Sequence, residues 1–203
     1  MSNINVMGGG ANLLLRRRMM AALIKTQGGD TDPEWNYAYY NVSDTSRETR
    51  LLYQRSYISR VEVLVDSSWI NIPGVVAYQF STPGLHVVRF KATEIYRTFD
   101  FVSALTKLSV AQSTPGIRFY VFRNTRLSEL LLPSTFSGFG ASAFAEFTSS
   151  EDLTIICYAL IPPTFSNTSL PNFVKHIYVP AVAVNNYKAA EGWSDYANII
   201  ESL

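Results

Sequence analysis

The chain has 203 residues, of which 47% are apolar, 13% aromatic and 16% charged, and its formal net charge is +1. This composition supports one large folded domain or two small ones, and it carries too little charge for a disordered chain. A net charge near zero excludes a general electrostatic attraction to nucleic acid or to membrane surfaces, so we expect neither as a partner.

The number of cysteines and the length of the apolar runs exclude further kinds of site and of protein. Cys157 is the only cysteine, so no disulfide can form within the chain and a cysteine-based zinc site would lack ligands. It lies in an apolar run, which predicts a small buried group rather than a catalytic thiol. No run of 18 apolar residues occurs, so we expect no membrane span. We also expect no cofactor and no bound metal.

Residues 1–31 form a separate region, which we interpret as an N-terminal docking helix or arm. Glycines at 8–10 and 28–29 bracket residues 11–27, which lack Gly and Pro and predict a helix. Three arginines interrupt its apolar residues, a pattern that suits docking to another subunit. The predicted docking interface is Leu13, Leu14, Leu15, Arg16, Arg17, Arg18, Met19 and Met20.

Other interpretations of this region stay open. The helix could fold back on its own domain, or it could be a basic arm on nucleic acid, for which three arginines are few. The arginines split two short apolar runs and no small-residue cleavage site follows, so we expect no export through a signal peptide.

Residues 32–94 predict a small β module. Apolar and polar residues alternate at 61–66 and 85–91, and Pro-Gly pairs at 73–74 and 83–84 predict turns. The aromatic residues at 35–40 fit either a half-buried sheet face, which we favour, or a sugar-binding cluster.

One short pattern recurs about every 22 residues from residue 95 onward. Ile117 and Phe139 are 22 residues apart, as are Phe122 and Phe144, whereas Phe99 is one residue out of step. Such a period is typical of a solenoid, in which stacking buries the apolar side of each unit. The alternative is three unrelated amphipathic strands in a β-sandwich. The predicted repeat core is Ile95, Phe99, Leu105, Leu108, Ile117, Phe122, Leu127, Leu130, Phe139, Phe144 and Leu153.

The last part of the chain predicts a cap on the repeats. Pro162 and Pro163 end the last regular unit, because a double proline cannot continue a strand ladder. A short strand at 177–179 and two helical segments at 185–190 and 194–202 follow. The predicted cap residues are Ile177, Tyr187, Trp193 and Tyr196.

These residues carry a family resemblance. The ending, residues 177–200, resembles the C-terminal cap of BspA-type leucine-rich repeat proteins of gut Bacteroidales, and Pro162-Pro163 matches the usual end of that family's last repeat. Residues 95–165 resemble its repeats, although Thr98-Phe99 and Val121-Phe122 keep only the Phe of its Ala-Phe pair. Residues 75–90 resemble the β module that often precedes the repeats.

The resemblance implies a mixed, β-rich fold. We therefore expect a short leucine-rich-repeat solenoid at 95–203 with a helical C-terminal cap, the small N-terminal β module at 32–94 and the N-terminal helix at 1–31. Members of the family are mostly surface or secreted adhesion modules, and relatives occur in phages and prophages. The start, residues 12–20, resembles the openings of phage structural proteins from gut Bacteroidales.

No catalytic constellation is evident, since there are two His, one Cys and no Gly-x-Ser-x-Gly or phosphate-loop motif. We expect a non-enzymatic structural and binding protein of a bacteriophage particle, in a tail, fibre or head-decoration position and present in several copies. Its N-terminal arm would contact other virion proteins, and its repeats would contact a host-surface protein or glycan. The alternatives are a BspA-type adhesin on the bacterial surface and an intracellular scaffold.

Overall fold

The structure is a computed structural model that describes residues 32–147, 152–166 and 170–203. Within these residues the strands are β1 (Asn36–Val42), β2 (Thr49–Arg50), β3 (Ile58–Val65), β4 (Ser68–Asn71), β5 (Ala77–Tyr78), β6 (Gly84–Ala92), β7 (Ile95–Tyr96), β8 (Leu105–Ser109), β9 (Gly116–Arg118), β10 (Glu129–Leu132), β11 (Gly138–Phe139), β12 (Leu153–Cys157), β13 (Thr164–Phe165), β14 (Val174–Val179) and β15 (Ile200–Ser202). The helices are α1 (Val184–Ala189) and the single 3-10 turns Ala181–Ala183 and Ser194–Tyr196.

Most of the strands belong to one large mixed sheet, in the order β15-β14-β12-β10-β8-β1-β6-β3-β4. The strands from β8 to β15 pair in parallel, and β8, β1, β6, β3 and β4 pair antiparallel. A small parallel sheet has the order β13-β11-β9-β7, and β2 pairs with β5. Because β1 pairs with both β6 and β8, the large sheet runs without interruption across the junction of residues 94 and 95.

The parallel strands pair with a regular offset along the sequence. Leu108 is opposite Leu130 in the large sheet, and Ile95, Ile117 and Phe139 are aligned in the small one. Each of these steps is 22 residues, the spacing of the sequence pattern. The offset between β10 and β12 is larger, since Leu130 is opposite Ile155. The chain therefore returns to the same position in each sheet once per sequence unit.

The main core lies between the large sheet and the small sheet. All eleven residues of the predicted repeat core are buried in it, from the inaccessible Ile95 to Phe144 at 5% exposure. The rings of Phe122 and Phe139 each contact that of Phe144, with centroids 5.1 and 5.2 Å apart. Burial of a phenylalanine contributes roughly 1.5–3 kcal/mol relative to exposure, so these rings stabilise the contact between successive units.

The predicted fold class, a leucine-rich-repeat solenoid with a separate β module and a helical cap, is wrong. The finding that overturns it is the continuous mixed sheet, in which β1 pairs along β8 where a separate module was expected. Local alternation identifies a strand but not its partner across the sheet, so the sequence pattern could not place β1. The predicted N-terminal helix lies outside the described residues.

The C-terminal region also differs from the predicted helical cap. β14 and β15 extend the large sheet, and α1 has only six residues. Ile177, Tyr187 and Trp193 are buried, whereas Tyr196 is half-buried. Trp193 donates from Nε1 to the Pro163 carbonyl at 2.7 Å, so a side chain rather than a helix closes this end of the core. The end is therefore sealed by aromatic side chains and strand edges.

Candidate functional site

The aromatic residues at 35–40 are not a surface site. Trp35, Tyr37, Tyr39 and Tyr40 are at most 7% exposed. The Arg89 guanidinium lies between the indoles of Trp35 and Trp69, at 4.3 and 4.2 Å from the ring centroids. The sugar-binding alternative for these residues is therefore wrong. The favoured interpretation, a half-buried sheet face, is right about the strand but not about its exposure, because Tyr40 is buried in the main core and the other three residues are buried in a second cluster.

A different group of aromatic residues reaches the surface: four of its rings are exposed, and Tyr96 and Tyr120 are half-buried. It lies along the turns that follow β7 and β9 and continues onto the segment between β2 and β3. We call it the aromatic strip. It consists of Tyr53, Tyr57, Tyr96, Phe101, Phe119 and Tyr120, with Arg97 and Arg123 between the rings.

The ring contacts of the strip form two groups. Tyr96 lies between Tyr57 and Phe119, with centroids 5.8 and 5.2 Å apart. Tyr53 and Phe101 are 6.4 Å apart. Tyr57 and Phe101 are 54% and 48% exposed, which is unusual for such large rings. Adjacent exposed rings of this kind mark binding surfaces on folded proteins.

The backbone of the strip adopts an uncommon conformation. Arg97, Phe101, Phe119 and Tyr120 all have positive φ, between 46° and 56°. This left-handed region is unfavourable for bulky residues, and such strain concentrates at functional sites. Hydrogen bonds between successive turns hold it in place, for example from the Phe119 N–H to the Ala141 carbonyl at 3.1 Å. The neighbouring turns therefore fix the direction in which the rings project.

A buried carboxylate orients the cations of the strip. Asp100 is inaccessible and accepts hydrogen bonds from Arg123 at 2.7 and 2.8 Å and from Arg97 at 3.2 Å. Its hydrogen bonds raise the pKa of Arg123 above its ordinary value. The Arg123 guanidinium then packs over Phe101 and Tyr120, at 4.5 and 5.1 Å from their centroids. The strip thus combines flat apolar rings with fixed planar hydrogen-bond donors.

The described part of the chain brings no metal-binding group together. No cluster of three or more His, Cys, Asp or Glu side chains occurs within it. Cys157 is buried, and burial raises the pKa of its thiol. His86 stacks on Phe80 at 4.0 Å and hydrogen bonds to the Thr82 carbonyl. Among the described residues, no helix has the length and apolar character that a membrane crossing requires.

Sequence reasoning missed the aromatic strip because it concentrated on the periodic core. The available signal was the second aromatic residue beside a core position, such as Tyr96 after Ile95 and Phe101 shortly after Phe99. The predicted docking residues at 13–20 lie outside the described residues.

Comparison with known proteins assigns this chain to no family. No protein-family model matches this chain, and no curated protein matches its sequence.

Proposed function

We propose that this chain is a non-enzymatic binding protein of a bacteriophage particle, and that its aromatic strip recognises a glycan on the host surface. The observation that carries the proposal is the group of exposed and half-buried rings at one surface, with Arg97 and Arg123 packed against them. Sugar rings present apolar C–H faces that pack on aromatic rings, and their hydroxyls accept hydrogen bonds from guanidinium groups. The strip offers both kinds of contact side by side.

The rigidity of the strip supports recognition. Arg123 is held by two hydrogen bonds to Asp100, so its planar group loses little conformational freedom when a ligand binds. The turns that carry Phe101 and Phe119 are hydrogen bonded to the turns of the next unit. A surface that is already ordered in this way loses less conformational entropy when a ligand binds.

The assignment to a phage particle rests on the sequence resemblances. Residues 12–20 resemble the openings of phage structural proteins, and residues 177–200 resemble the end of BspA-type proteins. The alternative is a BspA-type adhesin on the bacterial surface, in which the strip would serve the same purpose. Genes beside the coding region distinguish the two, because capsid and tail genes support the first and outer-membrane transport genes the second.

The binding test uses the full chain and surface polysaccharide extracted from gut Bacteroidales cells. The variant Phe101→Asn/Phe119→Asn removes two exposed rings with a residue that tolerates positive φ. Each ring contact is worth about 0.5–1.5 kcal/mol, so we expect about tenfold weaker binding. The matched control is Ile161→Asn/Val182→Asn, which removes two apolar residues that are 81% and 83% exposed outside the strip.

The outcomes of this experiment differ clearly. Weaker binding by the strip variant alone supports the proposal. Equal binding by both variants and the unaltered chain overturns it. Whole cells give a second test. If protease treatment of the cells abolishes binding and periodate oxidation of the cells does not, the proposal is also overturned, because the ligand would then be a protein.

A further inference from the structure

A polar cleft lies beside the aromatic strip. Its volume is about 410 Å³, and Phe101 of the strip lines it. The end of β1 and the loop that leads to β2 also line it, as does Arg126 in the segment before β10. We call it the arginine cleft. Volumes of about 300–1,000 Å³ are typical of small-molecule sites, so a ligand that packs on Phe101 has room to extend into this cleft.

The charge of the arginine cleft is positive. Arg47, Arg50 and Arg126 line it, together with the carboxylates of Asp44 and Glu48. Asp44 is already paired, because the Arg47 Nε lies 3.1 Å from its Oδ2. Among the described residues, no carboxylate lies within ion-pairing distance of Arg50 or Arg126. The cleft therefore offers two guanidinium groups that no carboxylate of the described chain neutralises by contact.

The main chain around the cleft is fixed by hydrogen bonding and burial. The Asn41 N–H donates to the Ala104 carbonyl at 2.9 Å, and both residues line the cleft. Arg126 is exposed, but the adjacent residues Thr125 and Leu127 are at most 1% exposed. The core therefore holds the backbone on both sides of Arg126, while its side chain lines the cleft.

Arg50 connects the arginine cleft with the aromatic strip. Its guanidinium lies 5.8 Å from the ring centroid of Tyr53. The same ring is 6.4 Å from that of Phe101 and 5.3 Å from the guanidinium of Arg97. The cleft and the strip thus share Phe101 and meet at Arg50, so one ligand can contact rings and cleft arginines together.

The chemistry of the guanidinium group indicates which ligand group fits the cleft. Its planar N–H donors match the oxygens of an oxyanion, to which two of them donate in parallel. Hydrogen bonds between two charged groups are roughly twice as strong as those between neutral groups. Arginines without an acidic partner therefore favour a sugar that carries a carboxylate or a sulfate over a neutral sugar.

We propose that the glycan bound by this chain is anionic. One of its sugar residues packs on Phe101, and a carboxylate or sulfate of that residue or of its neighbour enters the arginine cleft. There Arg50 and Arg126 donate hydrogen bonds to the anion. This inference rests on the proposed function, because it names the class of glycan that the aromatic strip recognises.

The test compares two double variants of the full chain. Arg50→Gln/Arg126→Gln removes two cations from the cleft, and the control Lys175→Gln/Lys188→Gln removes two exposed cations that do not line it. The probe is surface polysaccharide extracted from gut Bacteroidales cells. We expect the cleft variant to bind it at least about tenfold more weakly and the control variant to bind it like the unaltered chain.

Chemical treatment of the polysaccharide shows whether the arginines contact an anion. One preparation has its carboxylates reduced to alcohols, and another has its sulfates removed. One of these treatments should weaken binding by the unaltered chain and abolish its advantage over the cleft variant, which identifies the anion. Equal binding of the untreated polysaccharide by the unaltered chain and the cleft variant overturns the proposal. A loss of equal size on all three preparations also overturns it, because the arginines would then act on structure alone.

The ring variant separates this inference from the proposed function. If Phe101→Asn/Phe119→Asn weakens binding and Arg50→Gln/Arg126→Gln does not, the glycan proposal stands and the anionic class is wrong. If the ring variant binds as tightly as the unaltered chain, the proposed function is overturned, and the placement of an anionic sugar on Phe101 is overturned with it.

Discussion

The carboxylate of Asp100 and the guanidinium of Arg123 form a two-point ion pair, with N–O distances of 2.7 and 2.8 Å. The pair joins the turn after β7 to the turn after β9, beside the backbone hydrogen bond from the Phe101 N–H to the Arg123 carbonyl at 2.9 Å. Asp100 is inaccessible, while Arg123 reaches the surface and packs over Phe101. One buried carboxylate therefore links the core to the aromatic strip.

The substitution Asp100→Asn should lower the free energy of unfolding by about 1–3 kcal/mol, because Arg97 and Arg123 lose their buried charged acceptor. Glycan binding should weaken as well, since Arg123 is no longer held over the ring of Phe101. Urea denaturation and the polysaccharide assay measure the two effects.

The matched control is Asp44→Asn, which removes a carboxylate whose ion pair with Arg47 is largely exposed. Exposed pairs contribute about 0–1 kcal/mol, so this variant should change stability little. Equal losses in the two variants would show that the Asp100 pair has no special structural role.

Gly192→Ala should be one of the more destabilising single substitutions near the C-terminus. Gly192 has φ +77°, and an added Cβ would lie 2.6 Å from Cδ2 of Phe165. The left-handed backbone alone costs a residue with a Cβ about 1–2 kcal/mol. The contact adds a further cost, because the Phe165 ring also packs on Phe139 and Trp193.

Gly74→Ala separates the two costs. Gly74 has the same φ of +77°, but an added Cβ there meets nothing within 4 Å. We expect Gly74→Ala to lower the free energy of unfolding by the backbone cost alone and Gly192→Ala to lower it by more, as measured by thermal and urea denaturation. If the two losses were equal, the close packing of Phe165 on Gly192 would be contradicted.

The 22-residue spacing of the sequence predicted the strand register but not the sheet that contains it. Leu108 and Leu130 are opposite each other, as their matching positions indicate, because a repeated apolar pattern specifies which face is buried. The pattern contains no information on which strand pairs with the free edge of β8. Tyr37 to Tyr40 fill that edge through a register with β8 that shifts between Tyr39 and Tyr40. Such a long-range pairing depends on packing of the whole chain.

The sequence pattern could not predict the aromatic strip either, for a different physical reason. Phe99 and Phe101 are chemically identical and two residues apart, yet Phe99 is buried and Phe101 is 48% exposed. The difference arises from the left-handed backbone at Phe101, whose φ is +56°. Bulky residues rarely adopt this conformation, so no local preference predicts it. The strip is set by hydrogen bonds between turns rather than by the residue types alone.

Stability should fall in alkaline solution because buried tyrosines keep their protons. Burial raises the pKa of Tyr40 well above its ordinary value near 10, and burial also raises the pKa of Tyr39 and Tyr187. Above pH 10 the unfolded chain loses these protons while the folded chain retains them, so the unfolded state binds fewer protons. These tyrosines make their full contribution to the free energy of unfolding below about pH 10. Above that pH, each of them lowers the free energy of unfolding by about 1.4 kcal/mol per pH unit.

The substitution Tyr40→Phe tests this dependence at one residue. At pH 7 it should cost about 1 kcal/mol, because the hydroxyl donates a hydrogen bond to the Leu51 carbonyl at 2.7 Å. Between pH 10 and 12 the variant should lose stability less steeply than the unaltered chain, by about 1.4 kcal/mol per pH unit, since one proton fewer distinguishes its folded and unfolded states. Urea denaturation at a series of pH values measures both slopes. If the free energies of unfolding of the variant and of the unaltered chain fell with the same slope above pH 10, the Tyr40 hydroxyl would ionise as readily in the folded protein as in the unfolded chain. The burial of Tyr40 beneath the segment that carries Leu51 would then be contradicted.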